Sequence, residues 1–258
     1  SGCFPHVMLS SCHRWRRYAF LGAAMASLKL EPAMLFDAHC HLQLRRDPEK
    51  MAVAATVERA MRHGVVGAAV CGCDATDWDT VEMFWRQFPD FVAPSFGLHP
   101  WWVTNSEASR VAAELRRKLM DVPSAGVGEC GLDGGRKKEI PMELQVEVLK
   151  AQLDLAKEFQ RPVSLHCVAA HGTMLQVLQD VFGRGHAPGL VLHSYCGSVD
   201  MVKSFAKLNC FFSFSASILH IPKHAAALQV VPEERLLLET DAPDQLPRSL
   251  RGGFSPTG

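Results

Sequence analysis

Eight short apolar runs, separated by amphipathic stretches, constrain this chain more than any other feature. They are Met34–Ala38, Val65–Val70, Phe91–Phe96, Ser124–Gly128, Pro162–Leu165, Gly189–Leu192, Asn209–Ser213 and Arg235–Glu239. Each has strand length and is too short for a globular helix. The stretches between them carry helical spacing. Across Pro141–Phe159, the residues Leu144, Val148, Leu149, Leu153 and Ala156 fall on one face, with Lys150, Asp154, Lys157 and Glu158 on the other. Pro141 fits the first-turn preference of proline. Continuous apolar strands alternating with helices specify a parallel sheet. Eight such units predict a closed (β/α)8 TIM-type barrel, with an open doubly wound sheet as the competitor.

The polar residues that end these runs favour the barrel. The first run ends in His39-Cys40-His41, and the third leads into His99. The fourth ends at Glu129, the fifth at His166, the sixth at His193 and the eighth at Asp241. His99, Glu129, His166 and His193 follow one another at intervals of 30, 37 and 27 residues, and Asp241 comes 48 later with one strand between. About 30 residues is one βα unit. One ligand-type residue per unit, always at the C-terminal strand end, places all of them on the face where barrel enzymes build their sites.

Alternation sharpens the expectation. Side chains i and i+2 share a strand face, so one ion can take both His39 and His41. Cys40 between them then points outward to the helices, as do Cys130 and Cys167, making all three packing residues rather than ligands. His39, His41, Glu129, His166, His193 and Asp241 form a mixed nitrogen and oxygen set suited to Zn²⁺, Mn²⁺ or a related divalent ion. Six ligands exceed one tetrahedral site and fit two ions bridged by a carboxylate. A closed structural zinc site is the bland alternative.

Composition removes other classes. The chain has 258 residues, 48% of them hydrophobic, with formal net charge zero. That is globular composition without a global basic field, so affinity for phosphate must come from a local site. No apolar run approaches the roughly 20 residues of a membrane-spanning helix. Nine cysteines, an odd number spread along the chain, do not look like a disulfide framework and point to a reducing, intracellular compartment, cytoplasmic or nuclear. Residues 1–30 hold Arg14, Arg16, Arg17 and Lys29 and no acid. Residues 1–33 therefore read as an unstructured leader or an organellar transit peptide, and 34–258 as one barrel domain.

The ordered motifs resemble a family. Asp37-Ala38-His39-Cys40-His41, Gly97-Leu98-His99-Pro100, Gly128-Glu129-Cys130-Gly131-Leu132-Asp133, His166-Cys167, His193-Ser194-Tyr195 and Glu239-Thr240-Asp241-Ala242-Pro243 are similar to the signature of the TatD family of metal-dependent deoxyribonucleases. The resemblance implies an amidohydrolase-like barrel that hydrolyses DNA phosphodiesters with two divalent ions (Mg, Mn or Zn), acting at 3′ ends or on single strands. It implies that His39, His41 and Asp241 hold one ion, that His166 and His193 hold the second, and that Glu129 bridges. Asp241 would also accept a proton from the attacking water. His99 and His171 would line the site and touch the scissile phosphate or a leaving oxygen. Asp37 and Glu239 would orient ligands, or be buried acids that need partners. Another hydrolase on the same barrel, a lactonase or amidase, is the alternative, as is a non-catalytic product.

Two departures from the family pattern stand out. The family usually follows Gly-Leu-Asp with an aromatic residue, where this chain has Gly134-Gly135-Arg136-Lys137-Lys138. Only 17 residues follow Asp241, rich in Pro, Gly and Ser, where the family continues into the barrel's last helix. The expectation is a barrel lacking or altering that helix, with an apolar strip bare beside the first strand unless Tyr18–Met25 covers it.

Overall fold

The computed structural model describes residues 34–44, 53–104, 108–183 and 187–245. The expected leader at 1–33, the covering stretch Tyr18–Met25 and the chain beyond 245 lie outside the described residues. Eight parallel strands form one sheet in sequential order: β1 (Leu35–Cys40), β2 (Val65–Cys71), β3 (Val92–Phe96), β4 (Gly126–Asp133), β5 (Val163–Val168), β6 (Leu190–Leu192), β7 (Cys210–Phe214) and β8 (Leu236–Leu238). Helices α1 (Val53–Arg62), α2 (Trp78–Gln87), α3 (Ala108–Asp121), α4 (Met142–Phe159), α5 (His171–Phe182), α6 (Val199–Ala206) and α7 (Pro222–Leu228) alternate with them. This is the expected TIM-type barrel.

The main core lies between sheet and helices. Cys40, Val70, Val127, Cys130, Leu165 and Cys167 on the strands pack there with Leu115, Leu149, Leu153 and Met174 on the helices. Cys40, Cys130 and Cys167 thus do pack outward. Inside the barrel a small cluster of Ala38, Val191 and Leu237 fills the axis. A cavity of about 130 Å³ opens at the N-terminal strand ends, lined by Phe36, Phe91, Val92 and Pro162 among others, and none of the ligand-type residues lines it.

Helix α4 begins at Met142, with Pro141 as its N-cap rather than in its first turn. It buries two glutamines as well as its apolar face. Gln152 bonds both backbone groups of Leu98, accepting from N at 2.8 Å and donating to O at 3.2 Å. Gln145 does the same at Asp133, at 2.7 and 3.2 Å. One helix thereby fixes where the chain leaves β3 and β4, just before His99 and just after Glu129. Close approach of β4 to its neighbours requires glycine: a Cβ at Gly131 would run into the carbonyl oxygen of His166 on β5, and one at Gly97, just after β3, would lie 2.6 Å from the oxygen of Glu129.

β8 is shorter than its apolar run. Arg235 belongs to a 3₁₀ turn, and only Leu236–Leu238 pairs with β7. An unbroken apolar run such as Leu236-Leu237-Leu238 reads as buried on both faces, but while Leu237 is buried, Leu238 is 56% exposed. Alternation turns Leu237 into the barrel and Leu238 onto the outer face, where, unlike the outward Cys40, Cys130 and Cys167, it is left largely uncovered. Met34 and Leu35 at the start of β1 are also exposed, where the bare strip was expected.

Candidate metal centre

The seam between β8 and β1 is closed by loop contacts. Asp241 N donates to His39 O at 3.0 Å, and His41 N donates to Ala242 O at 2.7 Å. Asp37 accepts from Thr240, from N at 2.9 Å and from Oγ1 at 2.6 Å. Asp241 has φ of 50°, a left-handed conformation that Asp tolerates better than most residues. Gln245 Nε2 donates to Asp241 Oδ2 at 2.7 Å and to Ser194 Oγ at 2.6 Å. Glu239 accepts from Ser194 N at 2.8 Å, and from the hydroxyls of Ser194 and Ser213. Asp37 and Glu239 therefore have partners, and those partners belong to the segments that carry Asp241 and His193. Burial raises both acids, Asp37 to about 6 and Glu239 to about 7, against the bonds they accept.

Glu129 stands at the middle, 2% exposed. Its Oε2 lies 3.3 Å from His39 Nε2 and 3.0 Å from His41 Nε2. Its Oε1 lies 2.9 Å from His166 Nδ1, 2.8 Å from His193 Nε2 and 3.2 Å from His99 Nε2. Asp241 Oδ1 joins the first group, 3.5 Å from His41 Nε2 and 3.8 Å from His39 Nε2. All six expected ligands thus converge, and the two oxygens of one carboxylate divide the histidines between them.

The donor chemistry fits cations. His41 Nδ1 faces the carbonyl oxygen of Cys71 at 2.7 Å, which only an N–H can satisfy. Burial disfavours a charge on the ring, but Cys73 and Glu129 raise its pKa well above the ordinary value, so Nε2 is the atom that takes a proton or, in its place, a cation. It points at His39 Nε2, 3.1 Å away, and at two carboxylates. His39 Nδ1 is itself engaged with Ser164 Oγ at 2.8 Å. Acceptors that converge in a buried place need a positive charge between them. On the other side, His193 Nδ1 is buried without a hydrogen-bond partner.

His99 is different. Its Nδ1 accepts from Trp101 N at 3.1 Å, so its Nε2 carries the proton in the neutral ring. In that tautomer it faces Glu129 as a donor, although with Glu129 and His166 it also makes one of the groups that could hold an ion. The electrostatics agree with a charged centre. Burial opposes the charge on Glu129, yet His99 and His193 with the bonds from His166 and His193 hold it well below its ordinary value. Burial and His193 push His39 down to about 4. Burial opposes the charge on His193 too, but Glu129 lifts it to about 9.

His171 stands apart. It begins α5 and packs its ring on Tyr195 and Phe205, with centroids 5.5 and 6.5 Å away. Burial and then Lys223 push it down to about 4, so it is neutral, and its Nε2 is buried without a partner. It belongs to none of the four groups of potential ligands among the described residues. The structure adds residues that the sequence reading gave no role. Cys73 Sγ lies 3.5 Å from His41 Nδ1. Asp133 Oδ2 lies 3.4 Å from His166 Nε2 and accepts from Trp101 Nε1 at 2.6 Å. Asp133 was findable, being four residues after Glu129 on one strand and hence on its face. Cys73, beyond the end of the one early strand without an expected ligand, gave a weaker signal.

Comparison with known proteins places the chain. The family described as TatD related DNase matches residues 36–256. The chain belongs to this family. It is a hydrolase of the phosphodiester-cleaving class. The 3′-5′ ssDNA/RNA exonuclease TatD of Edwardsiella piscicida is 34% identical over 206 residues, covering 77% of this chain and 76% of that protein. The enzyme of the same name from Erwinia tasmaniensis is 32% identical over 223 residues, covering 84% and 83%. Among solved structures, the TatD homologue YjjV of Escherichia coli K12 superposes with a TM-score of 0.75 at 27% identity, covering 86% of this chain and 84% of that one. No helix among the described residues is long and apolar enough to cross a membrane.

Proposed function

We propose that the chain is a divalent-metal-dependent exonuclease that removes nucleotides from the 3′ ends of single-stranded DNA, with two ions shared through Glu129. The observation that carries this is the division of the histidines between the two Glu129 oxygens, with His39, His41 and Asp241 on one side and His166 and His193 on the other. Bound divalent ions would lower the pKa of a water and neutralise phosphate charge. The protein residues do the rest. Asp241, oriented by Gln245 at Oδ2, turns Oδ1 toward His41, where that oxygen would both help hold an ion and accept the proton that an attacking water gives up. His99 presents Nε2–H toward a substrate oxygen, in an orientation set by the bond from Trp101 N. Asp37 and Glu239 hold Thr240 and Ser194 and so fix the backbone beside Asp241 and His193. The names of the relatives extend the substrate to RNA. The seven unpaired cysteines among the described residues support a reducing, intracellular location.

The test incubates 5′-labelled single-stranded DNA and RNA with the protein in Mg²⁺, Mn²⁺ or Zn²⁺, beside lactone and amide substrates. Stepwise shortening from the 3′ end that a chelator stops is the expected outcome. Metal-dependent hydrolysis of lactones or amides without any release of nucleotides would overturn the assignment.

A further inference from the structure

Trp101 and Trp102 lie on a 3₁₀ turn directly after β3, at the mouth of the metal centre, and are 47% and 54% exposed. Adjacent exposed tryptophans at a site are informative where a scattered exposed leucine is not. Trp101 is also fixed in place. Its Nε1 donates to Asp133 Oδ2 at 2.6 Å, and its ring meets the His99 ring edge-on, with centroids 5.1 Å apart. The guanidinium of Arg136 sits over the indole, 4.8 Å from its centroid. Arg136 belongs to the exposed basic run Arg136-Lys137-Lys138 after β4. The carboxylate oxygen that pins the indole also faces His166 Nε2 at 3.4 Å, so the ring and the Oε1 side of Glu129 are held by one group.

An exposed indole immobilised by a hydrogen bond loses little freedom when a planar group settles on it. The indole is one ring away from His99, whose Nε2 reaches Glu129 at 3.2 Å. A ligand that places phosphate at the metal centre and a flat aromatic group on Trp101 is a nucleotide. We propose that Trp101 is a stacking platform for the nucleobase beside the scissile phosphate, with Arg136, itself paired with Glu139 at 3.2 Å, backing the indole. This rests on the nuclease assignment and names the part of the substrate read next to the phosphate. Trp101 is a positioning residue, because it holds the base and leaves the bond-breaking atoms to others. Stacking on aromatic side chains is tolerant of base identity, so the platform grips any base and selects for having one.

The test pairs two substrates with three proteins. One substrate is a short oligothymidylate. The other is the same strand with an abasic tetrahydrofuran as its 3′-terminal unit. Both are given to the wild type, Trp101→Phe and Trp101→Ala, with KM and kcat measured in Mn²⁺ and strand binding measured by anisotropy in chelator. The wild type should lose about 5- to 150-fold in KM and in binding on the abasic strand, the range expected for one stacked base. Trp101→Phe should keep most of that preference. Trp101→Ala should lose a similar factor on the normal strand and nothing further on the abasic one. An alanine variant that slows both substrates equally, preserving their ratio, overturns the platform and leaves Trp101 a structural residue. Equal handling of the two strands by the wild type overturns it without any variant, even if Trp101→Ala fails to fold. Failure of the wild type to cleave either strand overturns the nuclease assignment and the platform with it, whereas cleavage without preference overturns the platform alone.

Discussion

Replacing Glu129 with glutamine keeps the shape of the side chain and removes its charge. Five ring nitrogens lie 2.8–3.3 Å from its two oxygens. A hydrogen bond to a charged group is worth about 1.5–3 kcal/mol. Losing one such interaction on each oxygen removes about 3–6 kcal/mol, which is about 10²- to 10⁴-fold in rate or affinity at about 1.4 kcal/mol per tenfold. The amide also brings an NH₂ group into a place built for a carboxylate, so the effect belongs at the upper end of that range. Hydrolysis of a single-stranded oligonucleotide in saturating Mn²⁺ measures the rate, isothermal titration with Mn²⁺ measures ion affinity, and circular dichroism separates both from loss of fold. A folded Glu129→Gln protein that cleaves within tenfold of wild type, with unchanged ion affinity, would refute the bridging role.

Asp241→Asn should lower kcat more than His99→Ala does, because in the proposed mechanism Asp241 would both help hold an ion and take the proton, whereas His99 would only donate; initial rates on one oligonucleotide decide it, and a wild-type rate for Asp241→Asn removes the proposed base. Asp37→Ala should cost about 1–3 kcal/mol of stability and also reduce activity, since two bonds to Thr240 are lost beside Asp241; urea unfolding and the same rate assay read both. Trp78→Ala should destabilise by about 3–5 kcal/mol, because Trp78 is fully buried and its Nε1 donates to Gly97 O at 3.0 Å, beneath the turn that carries His99. A thermal midpoint unchanged by Trp78→Ala would contradict that packing.

The strands and the ligands were legible in the sequence for one reason. A parallel barrel strand is buried on both faces, so it reads as an unbroken apolar run, and its catalytic residue breaks that run at its C-terminal end. Each of the eight runs became a strand, although β4 runs on to Asp133 and so holds Glu129 inside it rather than at its end, and the six residues expected as ligands converge on Glu129 and His41. What escaped notice was what periodicity does not encode. Gln145 and Gln152 sit on the buried face of α4, where a polar residue looks like an exception to the pattern, yet they fix the exits of β3 and β4. His171, expected to line the site rather than to hold an ion, packs its ring on Tyr195 at the start of α5, a placement that periodicity does not encode. Trp101 follows His99 by two residues, but only its bond to Asp133 shows that it is held at the site.

The seam of the barrel joins folding to chemistry. β8 has only three residues and ends before it can run alongside β1. The chain closes instead through Thr240, Asp241 and Ala242, whose bonds to Asp37, His39 and His41 do the work of a ladder. Those same bonds bring Asp241 to within 3.5 Å of His41. Any change that opens the seam therefore also separates the last carboxylate from the first two histidines. Strengthening the seam should stabilise barrel and metal centre together, because on the proposed assignment a cation held by Asp241 and His41 would tie the two ends of the sheet from the inside. Ion binding and seam closure would be coupled equilibria, each favouring the other. It follows that Asp37→Ala should lower ion affinity even though Asp37 touches none of the positions an ion would take.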